Sequence, residues 1–160
     1  MRIERVHGLS GLARVHGLRW TVFVEEQGVL PAEELDGRDE SDSSVHLIAV
    51  DPDFRDVGTA RMLTDAEQPG VVHATRVAVL TEARGQGVGR ALMAELERIA
   101  YTEFAVDGQV RVELSAQETA LPFYESLGYE VGAERYLDAR MWHRDAVKVL
   151  TSAPDAAEPR

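Results

Sequence analysis

The sequence contains no cysteine. Disulfide bonds, thiolate metal ligands and a cysteine nucleophile are therefore outside its chemistry. Lysine is almost missing as well: Lys148 stands alone, and every other basic side chain is arginine. No apolar run is long enough to cross a bilayer, and no signal peptide is recognisable. The expectation is a soluble cytoplasmic protein. Metal-ligand spacing is also lacking. His7, His16, His46 and His143 fall at no ligating interval, and no H-E-x-x-H stretch or carboxylate cluster occurs, so no metal is expected.

Negative charge is plentiful. Against 17 basic residues stand 28 acidic ones, for a net charge of -11. Such a chain repels nucleic-acid phosphates and anionic lipid, so neither nucleic acid nor membrane is expected as a partner. The excess acid reads as a solvated surface. Together with the scarcity of lysine and cysteine, it resembles the composition of proteins from salt-loving microbes. A length of 160 residues suits one domain that buries its core without staples. Residues 1–150 are read as that domain, and residues 151–160, polar and proline-containing, as a disordered tail.

Patterning places the elements. "RIERV" opens as a strand. Residues 10–26 carry apolar side chains at helical steps, interrupted by Gly17. Residues 28–44 are acidic and punctuated by glycine and proline, and read as a loop. "VHLIAVD" and "GTARMLTD" flank a turn as a hairpin. "VVHATRVAVL" is the next strand, apolar on both faces towards its end. A helix over 88–102 buries Val88, Ala91, Leu92, Leu96 and Ile99, with Glu95 on the same face. "VRVELSA" is a strand. "TALPFYESLG" is a short helix, with Thr119 as its cap and Gly128 at its end. "YEVGAERYLDA" and "MWHRDAVKVL" close the domain as strands. The element order gives an α/β fold with a mixed sheet.

Gly85, Gly87 and Gly89 lie between the strand ending near Leu80 and the helix starting near Val88. A tight turn explains two of them. A P-loop is excluded by the missing Gly-Lys-Ser/Thr, and a dinucleotide fingerprint by its third glycine coming one residue early. What remains is a helix start stripped of side chains so that successive N–H groups reach one anion. Arg84 and Arg90 flank it. A diphosphate is the ligand this turn fits best.

"RVAVLTEARGQGVGRALM" resembles the acetyl-CoA-binding segment of the GNAT N-acetyltransferases. Arg84, Gly87 and Gly89 match that family's Arg/Gln-x-x-Gly-x-Gly/Ala pattern directly after a strand. "ELSAQETALPFYESLGYE" resembles the family's second region, a strand followed by a Phe-Tyr helix and a Gly-Tyr step. "RWTVFVEEQGVLPAEELDG" and "YLDARMWHRDAV" resemble the ElaA-like subgroup. The likeness spans roughly residues 2–150.

The resemblance implies a mixed, mostly antiparallel central sheet with a splayed parallel strand pair, flanked by helices. It places the pantetheine arm along Val77, Ala78 and Val79 and the pyrophosphate on the main chain of Gly85, Gln86, Gly87, Val88, Gly89 and Arg90. Arg84 and Gln117 would assist. Acetyl-CoA is the co-substrate it implies. Tyr124 matches the tyrosine that protonates the departing thiolate, a role suited to a phenol that keeps its proton at pH 7. The same stretch also reads as a short amphipathic helix packed by Phe123 and Leu127. The base that deprotonates the amine stays open among Glu25, Glu26, Glu113 and His73, with Glu26 and Glu113 the leading candidates. Without cysteine no acetyl-cysteine can form, so the amine is expected to attack the bound donor directly, with a main-chain amide of the splayed strand polarising the thioester carbonyl.

The expected activity is acetyl transfer to a small primary amine or a peptide amino group. An acyl-CoA-binding sensor without turnover is the alternative. Exposed edges of a mixed sheet would allow a homodimer.

Overall fold

The computed structural model describes residues 1–154. The stretch from 155 onward, most of the tail read as disordered, lies outside the described residues. The tail's first residue is held: the carbonyl of Thr151 accepts a hydrogen bond from the Tyr101 hydroxyl at 3.3 Å.

Eight strands form one sheet. They are β1 (Arg2–Val6), β2 (Ser44–Val50), β3 (Asp56–Thr64), β4 (Val71–Val79), β5 (Val110–Gln117), β6 (Glu130–Val131), β7 (Tyr136–Asp138) and β8 (Met141–Leu150). The order is β1-β2-β3-β4-β5-β8-β6, with β7 also on β8. Among the described residues, only β4 and β5 run parallel. The fold is the α/β arrangement expected, a mixed and mostly antiparallel sheet between helices.

The sheet is covered differently on its two faces. α3 (Val88–Phe104) lies on one face and buries Leu92, Met93, Leu96, Ile99 and Ala100 against strands that supply Leu47, Ala49, Val72, Val112 and Leu114. α1 (Gly8–Arg19) lies on the other and packs Val15 and Leu18 on Ile48 and Val50. β2 is therefore sandwiched, which accounts for its unbroken apolar run. Gly11 serves close packing here, since a Cβ would stand 2.9 Å from that of Val6.

The lone lysine is structural. From β8, Lys148 Nζ reaches the buried Glu97 of α3 at 2.7 Å and the carbonyl of Leu127 at 2.7 Å. The Tyr129 hydroxyl donates to the same carboxylate at 3.1 Å. Helical spacing drew attention to Glu95, which instead pairs with its helix neighbour Arg98. The charged side chain that α3 buries is Glu97.

Three expectations need correction. The helix over 10–26 begins earlier, and after Arg19 it widens into a π-helical segment, Trp20–Glu26. There the N–H of Gln27 donates to the carbonyl of Val22 at 3.1 Å. Over two turns, apolar spacing cannot separate this wider winding from an α-helix. Residues 28–44 are not a bare loop, because Pro31–Glu34 forms one helical turn, α2. Thr119 does not cap α4 (Leu121–Ser126): a 3-10 turn over Glu118–Ala120 precedes that helix, and no side chain caps it.

Candidate functional site

The site opens where two neighbouring strands part. β5 pairs with β4 only at Val71, Val72, His73 and Ala74. Just beyond, β4 carries one extra residue. Arg61 faces Thr75 and Thr59 faces Ala78, so Arg76 and Val77 together oppose Ala60. The bulge holds Arg76 at φ +53°. A bulge bends its strand and sharpens its twist, and this one falls where the partner strand lets go. The Arg76 guanidinium ties it to α2, donating to the carbonyls of Glu33 and Glu34 at 3.3 and 3.1 Å.

Past the bulge, the N–H of Leu80 donates to Val57 on β3 at 2.9 Å. Hydrogen-bonding direction alternates along a strand. Ala78 therefore also faces β3, and Val77 and Val79 turn their main-chain groups towards the gap. The carbonyl of Val79 takes a hydrogen bond there from Arg84 Nε at 3.0 Å.

The three glycines divide by cause. Gly85 and Gly87 have φ of +77° and +81°, and a Cβ on either would meet no protein atom within 4 Å. Left-handed backbone calls for glycine there. At Gly89 a Cβ would press on the Phe123 ring at 3.1 Å, so α4 can lie close to α3. No side chain caps α3 at Gly87. Its first N–H groups face the open space above the turn, which suits an anion.

The resulting cleft has a volume of about 650 Å³. Val77, Ala78, Val79, Arg84, Gly85, Gly87, Val88, Gly89, Arg90 and Gln117 all line it. Gln86 is the one expected ligand outside this lining, and its side-chain amide donates to the carbonyl of Glu82 at 3.3 Å. The bare amides, the open volume and Arg90 fit a diphosphate-bearing ligand, while Arg84 is held by Glu26 and the Val79 carbonyl.

Tyr124 is 7% exposed and forms part of the cleft wall. Burial pushes its hydroxyl up to about 12, so it remains protonated at neutral pH. Phe123 and Tyr129 hold its ring edge-on, at centroid distances of 5.0 and 5.8 Å.

The two leading base candidates are placed against that role. Glu26 grips Arg84 through both carboxylate oxygens at 2.7 Å and accepts from Thr81 at 3.1 Å. The Arg84 hydrogen bonds hold its carboxyl below the ordinary range, which makes it a weak base. These bonds fasten the π-helical segment to the glycine turn. Glu113 is not beside the cleft. It lies where β4 and β5 are still bonded, and there it pairs with Arg111 at 2.7 Å and approaches His73 at 3.9 Å. Glu25 is exposed and lines neither this cleft nor the cavity beyond it.

That second cavity lies on the other side of the splay and has a volume of about 340 Å³. Gln27, Val77, Gln117, Ala120 and Tyr124 border both spaces. Its floor is ionic. Arg19, fully buried, bonds Glu34 at 2.5 Å and Asp39 at 2.7 Å. Arg61 bonds Asp36 at 2.7 Å and Asp39 at 3.0 Å. The acidic stretch read as solvated thus turns inward and neutralises buried arginines. The Arg61 hydrogen bonds bring Asp36 down to about 2 against the opposing effect of burial. Burial would raise Asp39, but Arg19, His16 and Arg61 outweigh it and hold that carboxyl well below its usual range. No signal in one sequence pairs residues 19, 61 and 76 with residues 34, 36 and 39.

His143 also lines this cavity, and sequence reasoning passed over it. Its Nδ1 lies 2.8 Å from the carbonyl of Met141. Among the described residues no three His, Asp or Glu side chains gather to hold a metal ion.

Comparison with known proteins agrees with this architecture. Residues 56–131 match the family model described as an acetyltransferase (GNAT) domain. YjcF of Bacillus subtilis, named as an uncharacterized N-acetyltransferase, is 35% identical over 132 residues, covering 82% of this chain and 87% of its own. The crystal structure of Escherichia coli ElaA superposes with a TM-score of 0.79 at 28% identity, covering 92% of this chain and 98% of that one. An acyl-CoA N-acyltransferase from Pseudomonas aeruginosa gives 0.78 at 29% identity, covering 92% and 99%.

Proposed function

This chain belongs to the GNAT acetyltransferases, and from that premise we propose that it moves an acetyl group from acetyl-CoA to a small primary amine or a peptide amino group by direct attack. The observation that carries the reading is the meeting of two spaces at one gap in the sheet. The cleft over the glycine turn suits the donor, the cavity above the ionic floor suits the acceptor, and Tyr124 borders both.

Each part of the donor cleft has a task in this reading. The amides opening α3 hold the pyrophosphate, with Arg90 beside them. The main chain of Val77 and Val79, directed into the gap, pairs with the pantetheine arm. Gln117, tied to Gln27 at 2.9 Å, steadies the mouth between the two spaces. The Tyr124 hydroxyl gives its proton to the thiolate as the carbon–sulfur bond breaks. Residues 1–150 make up the catalytic domain in this account.

The acceptor cavity contains charge of both signs. Glu34 and Asp36 are committed to arginines, whereas Asp138 and Arg38 make no ion pair among the described residues. An amine-bearing acceptor with its own polar group suits such a lining. The test is release of CoA thiol from acetyl-CoA across a panel of primary amines and short peptides. The reading expects release that depends on the amine. A protein that binds acetyl-CoA yet releases no thiol with any amine would contradict it.

A further inference from the structure

We propose that the imidazole of His143 is the base that takes the proton from the acceptor amine. The inference rests on the acetyl-transfer reading above and adds to it a residue to which the sequence resemblance gave no role.

The cavity offers few groups able to do this. Glu34 is locked to Arg19, Asp36 to Arg61, and Glu33 to Arg140 at 2.9 Å. Asp138 is exposed, and a solvated carboxylate is poorly matched to an ammonium proton. His143 is 7% exposed. Its Nδ1 faces the Met141 carbonyl at 2.8 Å. A carbonyl can only accept, so Nδ1 carries the hydrogen and the lone pair stays on Nε2. The ring is stacked on Tyr136, at a centroid distance of 6.0 Å and an interplanar angle of 20°. Strand register sets His143 opposite Gln117, which borders both spaces. A fixed tautomer, a fixed ring and a place beside the gap are what a base at this site requires.

The charged and titratable groups around it come from five elements, β4, β7, β8, α2 and α4. Asp138 on β7, Arg76 on β4, Tyr124 on α4 and Glu33 on α2 line the same cavity, Tyr136 of β7 stacks on the ring, and Asp145 lies two residues on along its own strand, bonded to Tyr136. Tyr136 is spent on Asp145, to which its hydroxyl donates at 2.5 Å.

The step balances. The acceptor ammonium passes one proton to Nε2. The freed lone pair forms the carbon–nitrogen bond while the carbon–sulfur bond breaks. The departing thiolate takes the Tyr124 hydroxyl proton. The second proton shed by nitrogen returns through solvent to the Tyr124 oxygen, and the imidazolium releases its own to bulk water. One proton leaves per amide formed.

His143→Asn tests the proposal, because the amide can still donate to the Met141 carbonyl but cannot act as a base. With an amine that the wild type accepts, kcat/KM near neutral pH should fall about 100-fold or more. The acid limb of the wild-type pH profile should disappear in the variant. The rise in melting temperature with CoA should be unchanged. A variant within threefold of wild type that keeps the same acid limb overturns the proposal. Should His143→Asn not melt cooperatively, His143→Gln and the ¹⁵N spectrum of the wild-type imidazole decide. A hydrogen on Nε2 rather than Nδ1 in the neutral ring would also overturn it. If the wild type binds acetyl-CoA but acetylates no amine, the transfer reading fails first and the base role falls with it.

Discussion

Of the five residues that border both the cleft and the cavity, Tyr124 is the one with a titratable side chain. Burial, with its hydroxyl pushed up to about 12, keeps the proton in place over the whole assay range. Tyr124→Phe should therefore lower kcat by about 100-fold or more, with the CoA dissociation constant within a few-fold of wild type. No basic limb traceable to this phenol should appear below about pH 11. Steady-state kinetics beside calorimetric CoA binding check both points, and an unchanged kcat would remove Tyr124 from the chemistry. The Phe-Tyr pattern made this residue legible in the sequence. Glu26 was read as a candidate base. Its partner Arg84 lies 58 positions away, and no local spacing could reveal that it is an ion pair.

At the scale of elements, the glycine turn was readable from the residues themselves, and the splay that faces it only through the family resemblance. Gly85, Gly87 and Gly89 announced a backbone with a purpose, and the structure divides that purpose between φ and contact with Phe123. Gly87→Ala forces a Cβ onto a backbone at φ +81°, at a cost of about 1–2 kcal/mol. The melting temperature should drop by several degrees, and the further rise on adding CoA should shrink because the α3 amides lose their alignment. A variant that melts and responds to CoA like wild type would show that the turn does not hold the ligand. The bulge at Arg76 left no comparable trace, since an arginine in an apolar strand gives no sign of a positive φ. The π-helical winding after Arg19 was equally hidden, although it sets Phe23 and Gln27 against the acceptor cavity.

Across the whole molecule, order and layering followed from pattern, because apolar periodicity reports which face an element buries. The charge of residues 34–39 was misread for a physical reason. Composition counts carboxylates but cannot tell a solvated one from one gripped by a buried arginine. Asp36 and Asp39 are of the second kind. Their folded-state values lie below the unfolded ones, so their stabilisation is present above about pH 4 and is lost as pH falls through the folded values. Denaturant melts should show stability falling steeply between about pH 4 and pH 2, and Asp36→Asn should flatten that fall. Equal slopes in the two proteins would mean that the pair carries no net energy.

The central claim is that acetyl-CoA and the amine meet in one sheet gap with no covalent acyl-enzyme between them. Initial velocities of CoA-thiol release, over a grid of acetyl-CoA and amine concentrations, test it most directly. The account predicts double-reciprocal lines that intersect, as both substrates must be bound together before the acyl group moves. Parallel lines, with an acetylated protein detectable in the absence of amine, would contradict it.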